Sequence, residues 1–248
     1  MDLNNYISKL GKLLSDNNVC NSHGIEHCIS VLNNARMALD SQKYSITSNE
    51  RNMVLLAALL HDADDRKFFP NNKNYENVRE ILKGENQEFI DFVIKMIDLV
   101  SSSKNGDNIP DGMLEWMLIP RYADRLEAIG LIGIKRCWKY GKTTSNPLHT
   151  INTPRPETEE EIWKLASEER YKSYKGSSDS MIDHFYDKLL RASKFPIRNI
   201  YFDIESKIRQ KPLIDFLLYF SKKSNLSDND VIEFIDKYQM LNIKFLNF

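Results

Sequence analysis

The chain has 248 residues, 42% of them hydrophobic and 28% charged, and a formal net charge of -1. That length admits one large domain or two small ones with a sizeable core, and the balanced charge excludes a general basic surface for nucleic acid or membrane lipid. Three scattered cysteines, Cys20, Cys28 and Cys137, show no C-x-x-C spacing, which argues against a disulfide framework or a thiolate zinc site.

The opening "MDLNNYISKLGKLLSDNN" mixes charges and asparagines into its apolar positions, so neither a signal peptide nor a membrane span is expected there. A soluble, cytoplasmic protein is expected. From Ser22, a candidate N-cap, Ile25, Ile29, Leu32, Ala35 and Leu39 fall on one helical stripe. His23 and His27, four apart, then project from one face of that helix. Thr47 and Glu50 have capping-box spacing, and the run Arg51 to Leu60 is apolar nearly all round, as a central buried helix requires. It ends in "HDADDRKF".

A third helical stretch, "NQEFIDFVIKMIDLVSS", closes on a polar loop, and a fourth, from Asp111 to Gly141, contains Pro120 as a break or kink. Residues 141–180, rich in Pro, Thr, Ser and charge, read as a long surface excursion with one acidic helical piece, either a lid or a mobile insertion. Ser180 and Asp183 cap "MIDHFYDKLLRASKF", a long helix interrupted before Pro212 follows, and Ser227 with Asp230 opens a last short helix. Strand signals are sparse, so the fold class expected is all-α.

Charge at the end of a buried helix needs partners, and a metal ion is the economical one for His61, Asp62, Asp64 and Asp65. Imidazole with carboxylate suits Mn, Fe, Co, Zn, Ni or Mg. One of His23 and His27 would meet His61 and Asp62 across the helix pair. His184, Lys188 and Arg191 form a polar stripe opposite Ile182, Phe185, Leu189 and Ala192, which suits a helix with one face on a cleft. Lys67, Arg125 and Lys188 are candidate cations for a phosphate, with His23 and His184 as hydrogen-bond donors. Arg125 pairing with Asp62, Asp64 or Glu127 is the alternative, and solvation is the alternative for Lys188.

These blocks together resemble the HD-domain metal-dependent phosphohydrolase superfamily, in its stand-alone bacterial-type subgroup that includes nucleoside triphosphate pyrophosphohydrolases. The blocks are H-x3-H (His23, His27), H-D-x2-D-x-K-F (His61, Asp62, Asp65, Lys67, Phe68), "ADRLEAIGLIGI" followed by Tyr140-Gly141, and "HFYDKLL" at 184–190. They cover roughly residues 20–220. The resemblance implies a single HD-type helical bundle over 1–222, with 141–180 as an inserted loop and 223–248 as a helical extension packed on the same domain. It implies His27, His61, Asp62 and Asp124 as ligands of one divalent cation, Mn²⁺ favoured over Mg²⁺, Fe²⁺, Co²⁺, Ni²⁺ or Zn²⁺. A single ion is expected because no histidine lies between Asp62 and Asp124.

The implied reaction is attack of metal-activated water on phosphorus in a nucleotide or related phosphate compound. Asp65, one helical turn after His61, is the candidate general acid or base, or else a carboxylate holding Lys67 or a metal-bound water. Rival readings are a nucleoside monophosphatase, a cyclic-nucleotide or alarmone hydrolase, and a non-catalytic nucleotide-sensing module. No nucleic-acid or membrane partner is expected. Ser30 stands where the superfamily pattern usually has arginine, the 141–180 stretch replaces a compact segment, and Asp64 receives no role.

Overall fold

The computed structural model describes residues 2–19, 23–101, 105 and 108–246, with backbone alone for 241–246. The expected cap Ser22 lies outside the described residues, as does Cys20. Among the described residues the protein is all-α, with a single isolated bridge, Lys83 to Glu85, and no strand. No helix is long and apolar enough to cross a membrane.

The chain forms two compact units, one of residues 1–127 and 196–203, the other of 128–195 and 204–248. The first contains α1 (Leu3–Asp16), α2 (Ile25–Ser41), α3 (Ser48–Leu60), α4 (Glu76–Ile81), α5 (Gln87–Val100), a 3₁₀ turn (Glu115–Leu118) and α6 (Ile119–Glu127). Helix α3 is its axis. Met53 to Leu60 are buried without exception, which is why that run shows no amphipathic period, and α2, α5 and α6 pack around it. The Thr47–Glu50 capping box forms as expected: the Thr47 hydroxyl accepts from the Glu50 N–H, and the Glu50 carboxylate accepts from the Thr47 N–H.

Helix α2 departs from expectation at its start. It begins at Ile25 with Gly24 as N-cap, so His23 precedes the helix instead of lying on its face. The buried face is centred on Cys28, Val31, Ala35 and Ala38. One polar residue sits in it. Asn34 donates to the Ala123 carbonyl (3.3 Å) and Glu127 Oε1 (2.9 Å) on α6, and its oxygen accepts from the Tyr201 hydroxyl (2.8 Å). Pro120 neither ends nor kinks a helix. It occupies the first turn of α6, where its missing N–H has no partner to lose, after the 3₁₀ turn has redirected the chain.

The second unit contains α7 (Gly130–Thr144), α8 (Glu159–Leu165), α9 (Glu168–Ser173), α10 (181–192), α11 (Ile200–Ser221, its first four residues belonging to the first unit) and α12 (Asp228–Leu246). Its entry explains the glycines of "IGLIGI". Gly130 takes a positive φ of 74°, and a Cβ on Gly133 would stand 2.3 Å from the Ala128 carbonyl oxygen, so no larger residue fits. Helix α10 runs from Met181–His184 through a π-helical turn, Phe185–Leu189, into Leu190–Ala192. Ser180 caps it as expected, its hydroxyl accepting from the Asp183 N–H.

Two expectations here are corrected. Helix α11 is not interrupted before Pro212. The carbonyl that loses its partner belongs to Ile208, a residue 60% exposed, and its exposed position lets water replace the missing N–H. The last helix is also longer than the cap and periodicity suggested, running to Leu246. Stretch 141–180 contains two short helices and is tied to α10. Arg170 binds Asp183 (3.2 Å) and Asp187 (2.5 Å), Thr153 donates to Asp183 (2.8 Å), and Arg191 donates to the Ala166 carbonyl (2.6 Å). Asp228, at the start of α12, accepts from Trp138 and Lys142 of α7 at 2.6 and 2.8 Å.

Candidate metal centre

The apolar length of α3 brings His61 to the C-terminal end of a buried helix, and the chain then leaves helical geometry in the turn 61–64. Helix α2 supplies His27 and α6 supplies Asp124. The His61 Nδ1–H donates to the Ala58 carbonyl at 2.9 Å, which aims Nε2 away from its own helix. There it meets His27 Nε2 at 3.2 Å, Asp62 Oδ2 at 3.4 Å and Asp124 Oδ1 at 3.6 Å. His27 Nε2 lies 3.7 Å from Asp62 Oδ2 and 3.3 Å from Asp124 Oδ1.

These separations fit a common cation. Donor atoms about 2.1 Å from one ion stand about 3.0 Å apart at right angles and about 3.4 Å apart at tetrahedral angles. Asp62 Oδ2 is buried and has no hydrogen-bond partner among the described residues, an arrangement that costs about 1–3 kcal/mol unless an ion engages it. His27, His61 and Asp62 form a group able to hold a metal ion, and Asp124, whose side chain is 30% exposed, stands on its open side.

The electrostatics are those of a site built for positive charge. Burial opposes the protonated form of His61, but the neighbouring Asp62 and Asp124 carboxylates and the hydrogen bond to Ala58 outweigh it, raising His61 to about 9. Burial also pushes the Asp62 carboxyl up, yet the neighbouring His61 imidazole holds it below its ordinary value.

The other residues singled out in the sequence have distinct surroundings. Asp65 folds its Oδ1 onto the Lys67 N–H (2.8 Å), forming a local turn that leaves the Lys67 side chain exposed. His23 packs its ring on Phe68, centroids 5.2 Å apart, and lies 6.3 Å from the His27 ring. Arg125 is only 4% exposed and lays its guanidinium over the Tyr122 ring at 5.2 Å. His184 and Lys188 belong to the second unit, on the half-exposed side of α10. His184 contacts Ser178 Oγ at 3.3 Å and the Tyr174 ring, and Lys188 lies over that ring at 5.7 Å. Burial, reinforced by Lys188, lowers His184 to about 4.

Sequence reasoning passed over two residues around the centre. Asn34 interrupts the apolar face of α2 between Val31 and Ala38, a position where a polar side chain signals a specific partner; it was legible in principle. Asp64 accepts three hydrogen bonds from residues 72–78 that no local pattern reveals.

The all-α fold is similar to those of solved bacterial proteins. An HD-superfamily hydrolase of Bacillus thuringiensis matches at a TM-score of 0.60 and 22% identity, over 90% of this chain and 96% of that one. Bacillus subtilis YpgQ, solved in complex with ADP, matches at a TM-score of 0.58 and 19% identity, over 88% and 96%. No family model matches the sequence. The chain belongs to the family of the uncharacterized protein L803 of Acanthamoeba polyphaga mimivirus, with 40% identity over 230 residues, 84% of this chain and 92% of that protein.

Proposed function

We propose that the protein is a metal-dependent phosphohydrolase acting on nucleotides, and that its reaction releases pyrophosphate from a nucleoside triphosphate. The observation that carries the proposal is the convergence of two imidazole nitrogens and two carboxylate oxygens, 3.2–3.7 Å apart in the measured pairs, at the end of a buried helix. His27, His61, Asp62 and Asp124 would hold one divalent cation, with Mn²⁺ suited to this mixed donor set. Such a cation supplies Lewis-acid chemistry, polarising a phosphoryl oxygen and acidifying water. The hydrolase and ADP-bound neighbours support the substrate class.

In the proposed reaction a water oxygen bonds to the α-phosphorus, the bond from that phosphorus to the bridging oxygen breaks, and pyrophosphate departs. Asp65 takes the proton of the water; its Oδ1 accepts from the Lys67 N–H, and Oδ2 is assigned to the proton. Lys67 and His23, whose ring packs on Phe68, are assigned to phosphate contact. For His184 and Lys188 that assignment rests on the "HFYDKLL" block, and for Arg125 on its place beside Asp124.

The test is a nucleotide panel with Mn²⁺, quantifying orthophosphate and pyrophosphate, on the wild type, His61→Ala and Asp65→Asn. Pyrophosphate release is expected from the wild type and none from His61→Ala, while Asp65→Asn lowers kcat about 10²–10⁴-fold. Nucleotide binding without turnover by the metal-loaded protein, or turnover unchanged in His61→Ala, overturns the proposal.

A further inference from the structure

We infer that Asp64 is a positioning residue for the metal centre: its carboxylate locks the turn bearing His61 and Asp62 onto the start of α4. The inference rests on the metal reading above and adds to it a residue outside the ligand set. Three donors converge on this one side chain. Oδ1 accepts from Asn72 Nδ2 at 2.7 Å and from the Asn77 N–H at 3.1 Å, and Oδ2 accepts from the Val78 N–H at 2.9 Å. A strap runs the other way, since Asn77 Nδ2 donates to the Ala63 carbonyl at 2.7 Å. Two consecutive residues of the turn, Ala63 and Asp64, are therefore held by residues 72–78.

Those residues are themselves anchored. Asn74 and Tyr75 both take left-handed backbone angles, φ of 55° and 59°, a conformation that a tyrosine adopts only when its surroundings impose it. Here the Tyr75 hydroxyl donates to the Asp98 carboxylate of α5. The line of support runs from α5 through Tyr75 to α4, then through Asp64 to the turn.

The need for such support follows from Asp62. Beyond Leu60 the helical ladder gives way to two turn hydrogen bonds, Ala63 N–H to Leu60 and Asp65 N–H to Asp62, at 3.0 and 3.1 Å. Among the described residues Asp62 Oδ2 has no hydrogen bond, and its neighbours are the His61 and His27 imidazoles at 3.4 and 3.7 Å. Its aim therefore depends on the backbone of the turn, which Asp64 holds two residues away. A carboxylate suits the task because it accepts from every direction, whereas an amide would turn N–H groups toward the donors of α4.

The experiment measures Mn²⁺ affinity by titration calorimetry, independently of turnover, alongside metal-free thermal stability. Asp64→Ala is compared with Val93→Ala, a cavity at a fully buried position of α5 that destabilises the same unit at a residue outside 61–78. Asp64→Ala is expected to weaken Mn²⁺ binding about 10–100-fold, the usual effect of removing support behind a ligand, while Val93→Ala keeps wild-type affinity. Asn72→Ala and Asn77→Ala each remove one strap and are expected to weaken binding severalfold, which keeps the test decisive if Asp64→Ala does not fold. Wild-type affinity in Asp64→Ala, or in both asparagine variants, overturns the inference and leaves the metal reading standing. A wild-type protein that binds no Mn²⁺ overturns both.

Discussion

Acidification should destabilise this protein through one histidine in a measurable window. In the native state His184 sits on α10 between Ser178 and the Tyr174 ring, where burial and the Lys188 ammonium disfavour its charged form and Asp187 only partly compensates. Its native value of about 4 lies below the value near 6.5 of an unfolded chain. Above that upper value both states are neutral and the native state keeps its full advantage. As pH falls the unfolded chain binds a proton that the native chain refuses, so stability declines until the native imidazole titrates too. The gap of about 2.5 units corresponds to a loss on the order of 3 kcal/mol, spread between about pH 6.5 and pH 4. Urea unfolding of wild type and His184→Gln across that window, in chelating buffer, isolates the contribution because the other acid-sensitive groups are common to both. The wild-type curve should fall more steeply, by up to about 1.4 kcal/mol per pH unit. Parallel curves would refute the reasoning.

Saturating Mn²⁺, at about 100 times its Kd, adds about 2.7 kcal/mol to native stability by linkage. For a chain of this length that raises Tm by roughly 5–10 °C, and His61→Ala should remove the shift in differential scanning fluorimetry. Asn34→Ala deletes three hydrogen bonds between α2, α6 and residue 201 and should cost about 2–3 kcal/mol in chemical unfolding; a loss under about 0.5 would contradict the network. Gly133→Ala should destabilise by about 2 kcal/mol, an overlap with backbone on the order of 3 offset by about 1 of helix propensity, and unchanged thermal unfolding would argue against the close approach to Ala128.

How much was legible depends on the range of the interactions. Capping at Thr47–Glu50 and Ser180–Asp183 is visible because both partners lie within one turn. The burial of α3 is visible because its residues are apolar on every side. On α10 the division into Ile182, Phe185, Leu189 and Ala192 against His184, Lys188 and Arg191 survives the π-helical turn, since the predicted apolar set is buried and the polar set half-exposed. Helix starts without a side-chain cap are harder. Nothing marks Gly24 as the boundary, so His23 was placed on a helix it precedes. The passage of α11 through Pro212 is hidden for the opposite reason: a strong local breaker is outweighed by burial of apolar side chains along the helix, including fully buried Phe202, Leu213, Phe216 and Leu217.

The ligand set illustrates the same division at the level of chemistry. His61 and Asp62 announce themselves because charge follows an apolar helix, but nothing within either segment says that His27 and Asp124 meet them. The helical packing of α2 on α6 does that, and Asn34 fixes its register: it lies two turns after His27 and binds Ala123 and Glu127, which flank Asp124 on its own helix. A slip of α6 by one residue would rotate Asp124 by about 100° away from the imidazoles. The polar contacts of Asn34 between helices and of Asp64 behind the turn are the part of this site that a ligand motif does not contain.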